Sequence, residues 1–331
     1  MRFLLVILLA LALLGGGVWM EYRDFLESPI PRPEEPLMLD VARGTSMRAL
    51  SQELTARGVL RHPYFFLALG YLTAAAPRIK AGEYEVPDGT TPAGLLDLLT
   101  SGKVVQRAVT LVEGWSFRQA LDALSRDDRL RQELANLTPE ALMDRLGQPG
   151  KHPEGRFFPD TYHFTKGSSD LDILRRSYDR MSQVLSEEWE QRAEDLPLTT
   201  PDEALILASI VEKETGSAPE RPAIAGVFIR RLDLGMKLQT DPTLIYGLGE
   251  AFDGNLRRSD LELDTPYNTY LHNGLPPTPI ALPGRAAIQA VLHPLDGDSL
   301  YFVAKGDGSH HFSATLEEHN QAVRRYQLGR Q

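Results

Sequence analysis

The sequence predicts an α+β fold carried behind a single N-terminal transmembrane helix, and three features predict it. An uncharged apolar run opens the chain, a strand, glycine turn and helix pattern recurs over its first third, and helices alternate with glycine- and proline-rich loops beyond residue 200. Of the 331 residues, about 310 follow the apolar run, enough to bury the cores of two domains.

Phe3 to Met20 carries no charge, and an 18-residue helix spans roughly 27 Å, close to the hydrocarbon thickness of a bilayer. Ala10-Leu11-Ala12 matches a signal-peptidase site by letter. A cut there would leave a very short apolar region before it and a long apolar run after it, so residues 3–20 read as an uncleaved signal anchor rather than a cleaved signal peptide. Arg2 and the amino terminus place positive charge before the segment, whereas Glu21, Arg23, Asp24 and Glu27 follow it with a negative balance. The positive-inside rule then puts residues 1–2 in the cytoplasm and everything beyond residue 20 outside it, as a single-pass protein of the plasma (inner) membrane with a periplasmic or extracytoplasmic body. Prolines at 29, 31, 33 and 36 favour an extended stretch, so 21–37 is expected to be a stalk reaching at most roughly 60 Å.

A formal net charge of −10, with no run of Lys or Arg, argues against a nucleic-acid partner, which would require a basic surface. The absence of cysteine excludes disulfides and thiolate chemistry, leaving core burial to stabilise the fold.

Three stretches, Leu37 to Leu54, Gly82 to Leu99 and Ala108 to Leu124, share an apolar strand, a glycine turn, a hydroxyl cap and a helix. Gly44, Gly89 and Gly114 make the turns, and Ser46, Thr91 and Ser116 are placed to accept the orphan N–H groups of the helix start. Leu50/Leu54, Leu95/Leu99 and Ala120/Leu124 recur four apart, on one face of each helix. The pattern fits generic strand–turn–helix units, and equally a small sugar-binding module of the LysM type over 38–107. Further on, Leu171, Leu174, Tyr178, Met181 and Leu185 mark an amphipathic packing helix.

Thr200-Pro201-Asp202-Glu203 has the form of a capping box with proline at the first helical position, and Gly216 is a natural stop. Ala204 to Val211 is apolar nearly all round, as in a buried helix. Glu212 falls on the face of Leu205 and Ala208, near the negative helix end and near Glu214. All three influences should raise its pKa, as a general acid requires. Glu214, about 200° further round, should point away and is the secondary carboxylate candidate. Periodicity alone also allows both glutamates to be solvated at a fraying helix end. Tyr162, Gln239, Asp241, Tyr267, Asn268 and Tyr270 stand in unusual loops that supply the aromatic faces and bidirectional hydrogen-bonding groups a sugar cleft needs. Asp241, before Pro242, could instead be a helix N-cap. His310, His311 and His319 lack zinc-ligand spacing, so neither a metal nor a cofactor is expected.

The order and spacing of Val109 to Phe117, Phe158 to Tyr162, Ala208 to Thr215, Leu238 to Thr243, Tyr267 to Tyr270 and Gly274 to Pro277 resemble those of the endolytic murein transglycosylase (MltG or YceG-like) family. The resemblance runs from the anchor to Glu318-His319-Asn320 and says least between about 125 and 150. It implies a LysM-like membrane-proximal module over 38–107, a mixed α+β catalytic domain over 108–331, and Glu212 as the catalytic residue. It also implies scission of the β-1,4 bond between N-acetylmuramic acid and N-acetylglucosamine with closure of a 1,6-anhydro ring, a lyase reaction; the anchor and short proline stalk would confine it to glycan just emerging from the membrane, so that it terminates nascent strands. Partners would be peptidoglycan strands and, through residues 3–20, the lipid bilayer, with peptidoglycan synthases as candidates. Two alternatives remain: a two-carboxylate muramidase using Asp241, Asp160 or Glu214 as its second acid, and a noncatalytic glycan-binding scaffold.

Overall fold

The structure is a computed structural model that describes residues 2–329. Met1 of the expected cytoplasmic 1–2 segment, and residues 330 and 331 of the expected 108–331 domain, lie outside the described residues. The chain divides into two compact units: Met1–Arg107 with His163–Gly167, and Ala108–Tyr162 with Ser168–Gln331.

The first unit begins with helix α1 (Arg2–Glu27), which does not stop where the uncharged run ends. Tyr22, Phe25 and Leu26 continue an i, i+3, i+4 apolar stripe beyond the first charges, and Phe25 is buried in the unit's core. The expected stalk over 21–37 is therefore helical to Glu27. Beyond it the chain is held against the unit: Ile30 is buried and its N–H donates to the Thr90 carbonyl at 2.9 Å. Strand β1 (Leu37–Val41) leads into α2 (Met47–Ala56) and α3 (Pro63–Leu72); β2 (Gly82–Val86) and α4 (Pro92–Ser101) follow. β1 and β2 pair antiparallel, with Leu39 opposite Tyr84. Gly44 and Gly89 adopt left-handed φ of 81° and 71° in the turns. Ser46 and Thr91 cap the helices, accepting from Ala49 N–H and Gly94 N–H. Leu50, Leu54, Leu95 and Leu99 all face the core. Lys166, distant in sequence, belongs here by its ion pair with Asp40 at 2.7 Å.

The third copy of the pattern, β3 (Arg107–Thr110) and α5 (Phe117–Ser125), joined through Gly114 at φ 75° and a capping box between Ser116 and Gln119, lies in the second unit from Ala108 onward. After α6 (Pro139–Arg145), β4 (Thr161–Phe164) pairs with β3. Helices α7 (Asp170–Glu190), α8 (Pro201–Glu214), α9 (Arg221–Asp233), α10 (Asp241–Leu248), α11 (Arg258–Leu261) and α12 (Arg285–Leu292) follow. The hairpin of β5 (Tyr301–Ala304) and β6 (His310–Ser313) and then α13 (Leu316–Val323) complete the unit. Helix α8 is its axis, packed by α7, α9 and α12, with every residue from Ala204 to Val211 except Ile206 buried. Its start is the expected capping box of Thr200 and Glu203. Its end differs from expectation: Thr215 turns extended at φ −145° and ψ 134°, and Gly216 makes no left-handed stop.

Glu154 is buried at 4% exposure, accepting from Phe117 N–H at 2.8 Å and from the Tyr246 hydroxyl at 3.1 Å. Burial pushes its carboxyl up to about 7. A folded pKa above the unfolded one means that the folded state loses stability as pH rises from the unfolded value to about 7, and no further beyond. Glu154→Gln should therefore stabilise the protein by on the order of 2 kcal/mol above that pH, and by almost nothing near pH 4. Denaturant titrations of both proteins across pH 4 to 8 check this.

Candidate active site

Because α8 is enclosed by apolar neighbours along its body, its charged side chains lie at its two ends, and in the last turn two carboxylates leave the helix about 200° apart. They enter different surroundings.

Glu212 is sealed, its side chain 4% exposed. Oε1 accepts from Arg221 Nη2 at 2.8 Å, and Oε2 accepts at 3.0 Å from the N–H of Gly284, the N-cap of α12. Glu113 lies on the far side of Arg221 at 3.7 Å. A Cβ at Gly284 would meet the end of the Glu113 side chain, which packs against this glycine. The neighbouring Lys213 donates to the Gly114 carbonyl at 3.2 Å. Burial raises the Glu212 pKa; the Gly284 N–H and the Arg221 guanidinium oppose the rise, and Glu113 adds to it. The guanidinium and the helix N-terminus favour the ionised form of this carboxyl and fix it in place, against a burial that shifts its pKa upward overall.

Glu214 points away from Glu212, as expected, but into a cleft of about 450 Å³ rather than into solvent. Gln239, Thr240, Asp241, Tyr270, Tyr301, His310 and His319 line the same cleft. Burial raises the Glu214 pKa and Asp241 adds to the rise; the Thr240 hydroxyl, which donates to Glu214 Oε1, opposes it, as more weakly do His310 and Arg231. No cation pairs with this carboxyl at salt-bridge distance among the described residues. Glu212, expected as the catalytic residue, is not among the residues that line this cleft. The apolar face chosen from Leu205 and Ala208 is core on both sides, so it does not mark where the cleft opens.

The cleft wall is fastened from behind. Gln239 N–H donates to the Thr269 carbonyl and Thr240 N–H to the Thr269 hydroxyl, at 3.2 and 3.1 Å. Gln239 is held at φ 49°, a left-handed conformation costing a non-glycine residue on the order of 1–2 kcal/mol. Thr240 is the N-cap of α10, yet its side chain makes no cap bond and serves Glu214 instead. Asp241 occupies the first helical position rather than the cap, and accepts from the Tyr270 hydroxyl at 2.5 Å. Arg231 donates to the carbonyls of Leu238 and Leu300, each at 2.7 Å, and lies over the Tyr301 ring, which stacks on His319.

Gln239, Asp241 and Tyr270 are thus brought together with Glu214. Tyr162, Tyr267 and Asn268 are not. Tyr162 is buried with its hydroxyl on the Phe158 carbonyl at 2.7 Å, and burial pushes that phenol up to about 12. The Tyr267 hydroxyl meets that of Thr278 at 2.8 Å. Asn268 is fully buried, its amide on the carbonyls of Leu261 and Leu263 and its oxygen on Tyr270 N–H. Sequence reasoning passed over Thr240, although its motif was in view, and also Tyr301, Arg231 and Arg221, which no local pattern distinguishes from packing residues.

The model of the YceG-like family matches residues 39–325. An endolytic murein transglycosylase of Bacillus subtilis is 30% identical, covering 95% of this chain and 91% of its own length. A Streptococcus pneumoniae protein of the same name is 26% identical over 97% of this chain, which spans 64% of that longer relative. A crystal structure of a yceG-like protein from Listeria monocytogenes superposes with a TM-score of 0.56 at 29% identity, covering 86% of this chain and 98% of its own. On the extent of the family match and of the Bacillus alignment, the chain belongs to the YceG-like family.

Proposed function

We propose that this protein is a membrane-anchored endolytic peptidoglycan lytic transglycosylase in which Glu214, rather than Glu212, is the acid and base. The observation that carries the assignment is the opposed environment of the two carboxyls: one sealed in an ion pair, one opening into a cleft with only a hydroxyl donor. The names of the Bacillus and pneumococcal relatives support the substrate class and reaction.

A protonated Glu214 donates to the bridging oxygen of the β-1,4 bond between N-acetylmuramic acid and N-acetylglucosamine, while the substrate's acetamido group supports the developing positive charge. The glutamate, now ionised and accepting from Thr240, takes the proton of the muramyl 6-hydroxyl as that oxygen closes on the anomeric carbon. An attacking group within the substrate has a high effective molarity, so no bound water and no second acid are needed. Gln239, Asp241 and Tyr270 supply hydrogen bonds to sugar hydroxyls, and the Tyr301–His319 pair supplies a flat face. A second reading, hydrolysis with Asp241 as partner acid, draws on the presence of Asp241 in the same cleft.

The first unit is read as a glycan-holding module of the LysM type, supported by its short antiparallel strands packed with short helices. Helix α1 is read as an uncleaved anchor with its N-terminus in the cytoplasm, in line with its apolar stretch and with the docking of Phe25 on the unit it precedes. So anchored in the plasma (inner) membrane, the enzyme acts on glycan near the bilayer and ends growing strands.

Mass spectrometry of fragments from incubated peptidoglycan should show 1,6-anhydro ends; reducing ends heavier by one water would replace this reading with the muramidase. Glu214→Gln should lower turnover by at least about 10²-fold with its melting temperature preserved. Glu212→Gln, which leaves the buried Arg221 guanidinium only the more distant Glu113 as an anionic partner, should melt lower and lose activity only as its folded fraction falls.

Because the first step needs protonated Glu214, activity should decline with rising pH through a pKa above the ordinary glutamate value. Thr240→Val removes a bond that favours the ionised form, so the declining limb of kcat/KM should move to higher pH. An unmoved limb would detach Thr240 from the catalytic proton.

A further inference from the structure

Helix α3 has the sequence PYFFLALGYL, with no charged residue in ten. One side of it meets the core through Phe66, Leu69 and Gly70; at Gly70 a side chain would collide with Met47. The opposite side is equally apolar yet uncovered. Tyr64 is 80% exposed, Tyr71 66% and Leu72 78%, and with Ala68 they follow the i, i+4, i+7, i+8 spacing of a single face. A surface helix in water ordinarily turns charge outward, so this face calls for a partner.

The neighbouring helix indicates which partner. The Phe65 ring lies 5.5 Å from that of Tyr22 and 5.7 Å from that of Phe25, and Tyr22 lies 6.2 Å from Trp19. If Phe3 to Met20 fills the hydrocarbon layer, Tyr22 stands about 3 Å beyond its edge, at the level where tyrosine and tryptophan collect. Contact with Tyr22 and Phe25 brings Phe65, and α3 with it, to the headgroup level. In the sequence, exposed Arg61 precedes α3 and exposed Arg78 follows it, cations of the kind that anionic headgroups attract.

We propose that the uncovered face of α3 lies in the headgroup region of the bilayer that α1 crosses, forming a second, interfacial contact that fixes the orientation of the first unit. The proposal rests on the reading of α1 as an uncleaved anchor. A span alone leaves the attached unit free to rotate and tilt; a second contact beside it removes that freedom.

The chain has no native cysteine, so single probes can be placed in the full-length protein without background. Leu72→Cys and Val18→Cys, each carrying an environment-sensitive fluorophore, are reconstituted in phosphatidylglycerol-containing vesicles with lipids bearing nitroxides at the headgroup or along the acyl chain. The proposal predicts a blue-shifted probe at 72 that loses emission to the headgroup nitroxide, together with a probe at 18 quenched through the acyl chain. Quenching at 18 with a water-like, unquenched probe at 72 overturns the interfacial contact and leaves the anchor standing. A blue-shifted probe at 72 that no lipid nitroxide quenches overturns it in favour of a protein partner or a second copy of the chain. Absence of quenching at both positions overturns the anchor and the proposal together.

Discussion

A helix enclosed by apolar neighbours has room for polar chemistry only at its ends, and the second unit is arranged around that constraint. Helix α8 is buried from Ala204 to Val211 except at Ile206, Asp202 and Glu203 stand in its first turn, and the helical repeat sends Glu212 and Glu214 of its last turn to opposite sides. What differs is the company each finds. Arg221 and the N-terminus of α12 hold Glu212, making it a fastener among α8, α9 and the turn that opens α12. Glu214 receives one hydroxyl and a cleft. In a medium of low dielectric, burial favours the neutral form of both carboxyls; at Glu212 a cationic partner opposes it, and at Glu214 a hydroxyl does.

The cleft wall departs from local preference where it meets Glu214. Gln239 is left-handed without being glycine, and Thr240 gives up its capping bond. Both departures are held by Thr269, whose carbonyl and hydroxyl take the backbone N–H groups of 239 and 240, while the Thr243 hydroxyl returns to the Thr240 carbonyl at 2.8 Å. Asn268, buried and saturated with hydrogen bonds, keeps that segment in register. Residues that resemble sugar ligands by type thus serve as the frame for those that reach the cleft. Strain held by surrounding structure is a common feature of sites that must be rigid before substrate arrives.

Elements whose information is local could be read from the sequence. The three glycine turns and their hydroxyl caps, the capping box of α8 and the buried stripe of α7 each depend on residues within four or five positions. The continuation of α1 was legible too, in Tyr22, Phe25 and Leu26, but the prolines beyond drew attention to an extended stalk. Choosing between Glu212 and Glu214 was beyond local reasoning. The choice turns on Arg221, Gly284 and Thr240, which lie 9, 72 and 26 residues away from their carboxyls, and a helix that is apolar all round gives no indication of which side opens. Tyr301 and His319 enter the cleft from the C-terminal hairpin and helix by the same kind of long-range closure.

Difference infrared spectroscopy of the carboxyl C=O stretch, followed through a pH titration, tests the central claim most directly because it reads protonation rather than turnover. The wild-type protein should show a protonated carboxyl that titrates above the ordinary glutamate range, much weakened in Glu214→Gln and retained in Glu212→Gln once Glu154, a buried carboxyl raised to about 7, has been replaced by glutamine in all three proteins. A band that survives in Glu214→Gln and disappears in Glu212→Gln would contradict the account, returning the transferable proton to the carboxyl beside Arg221.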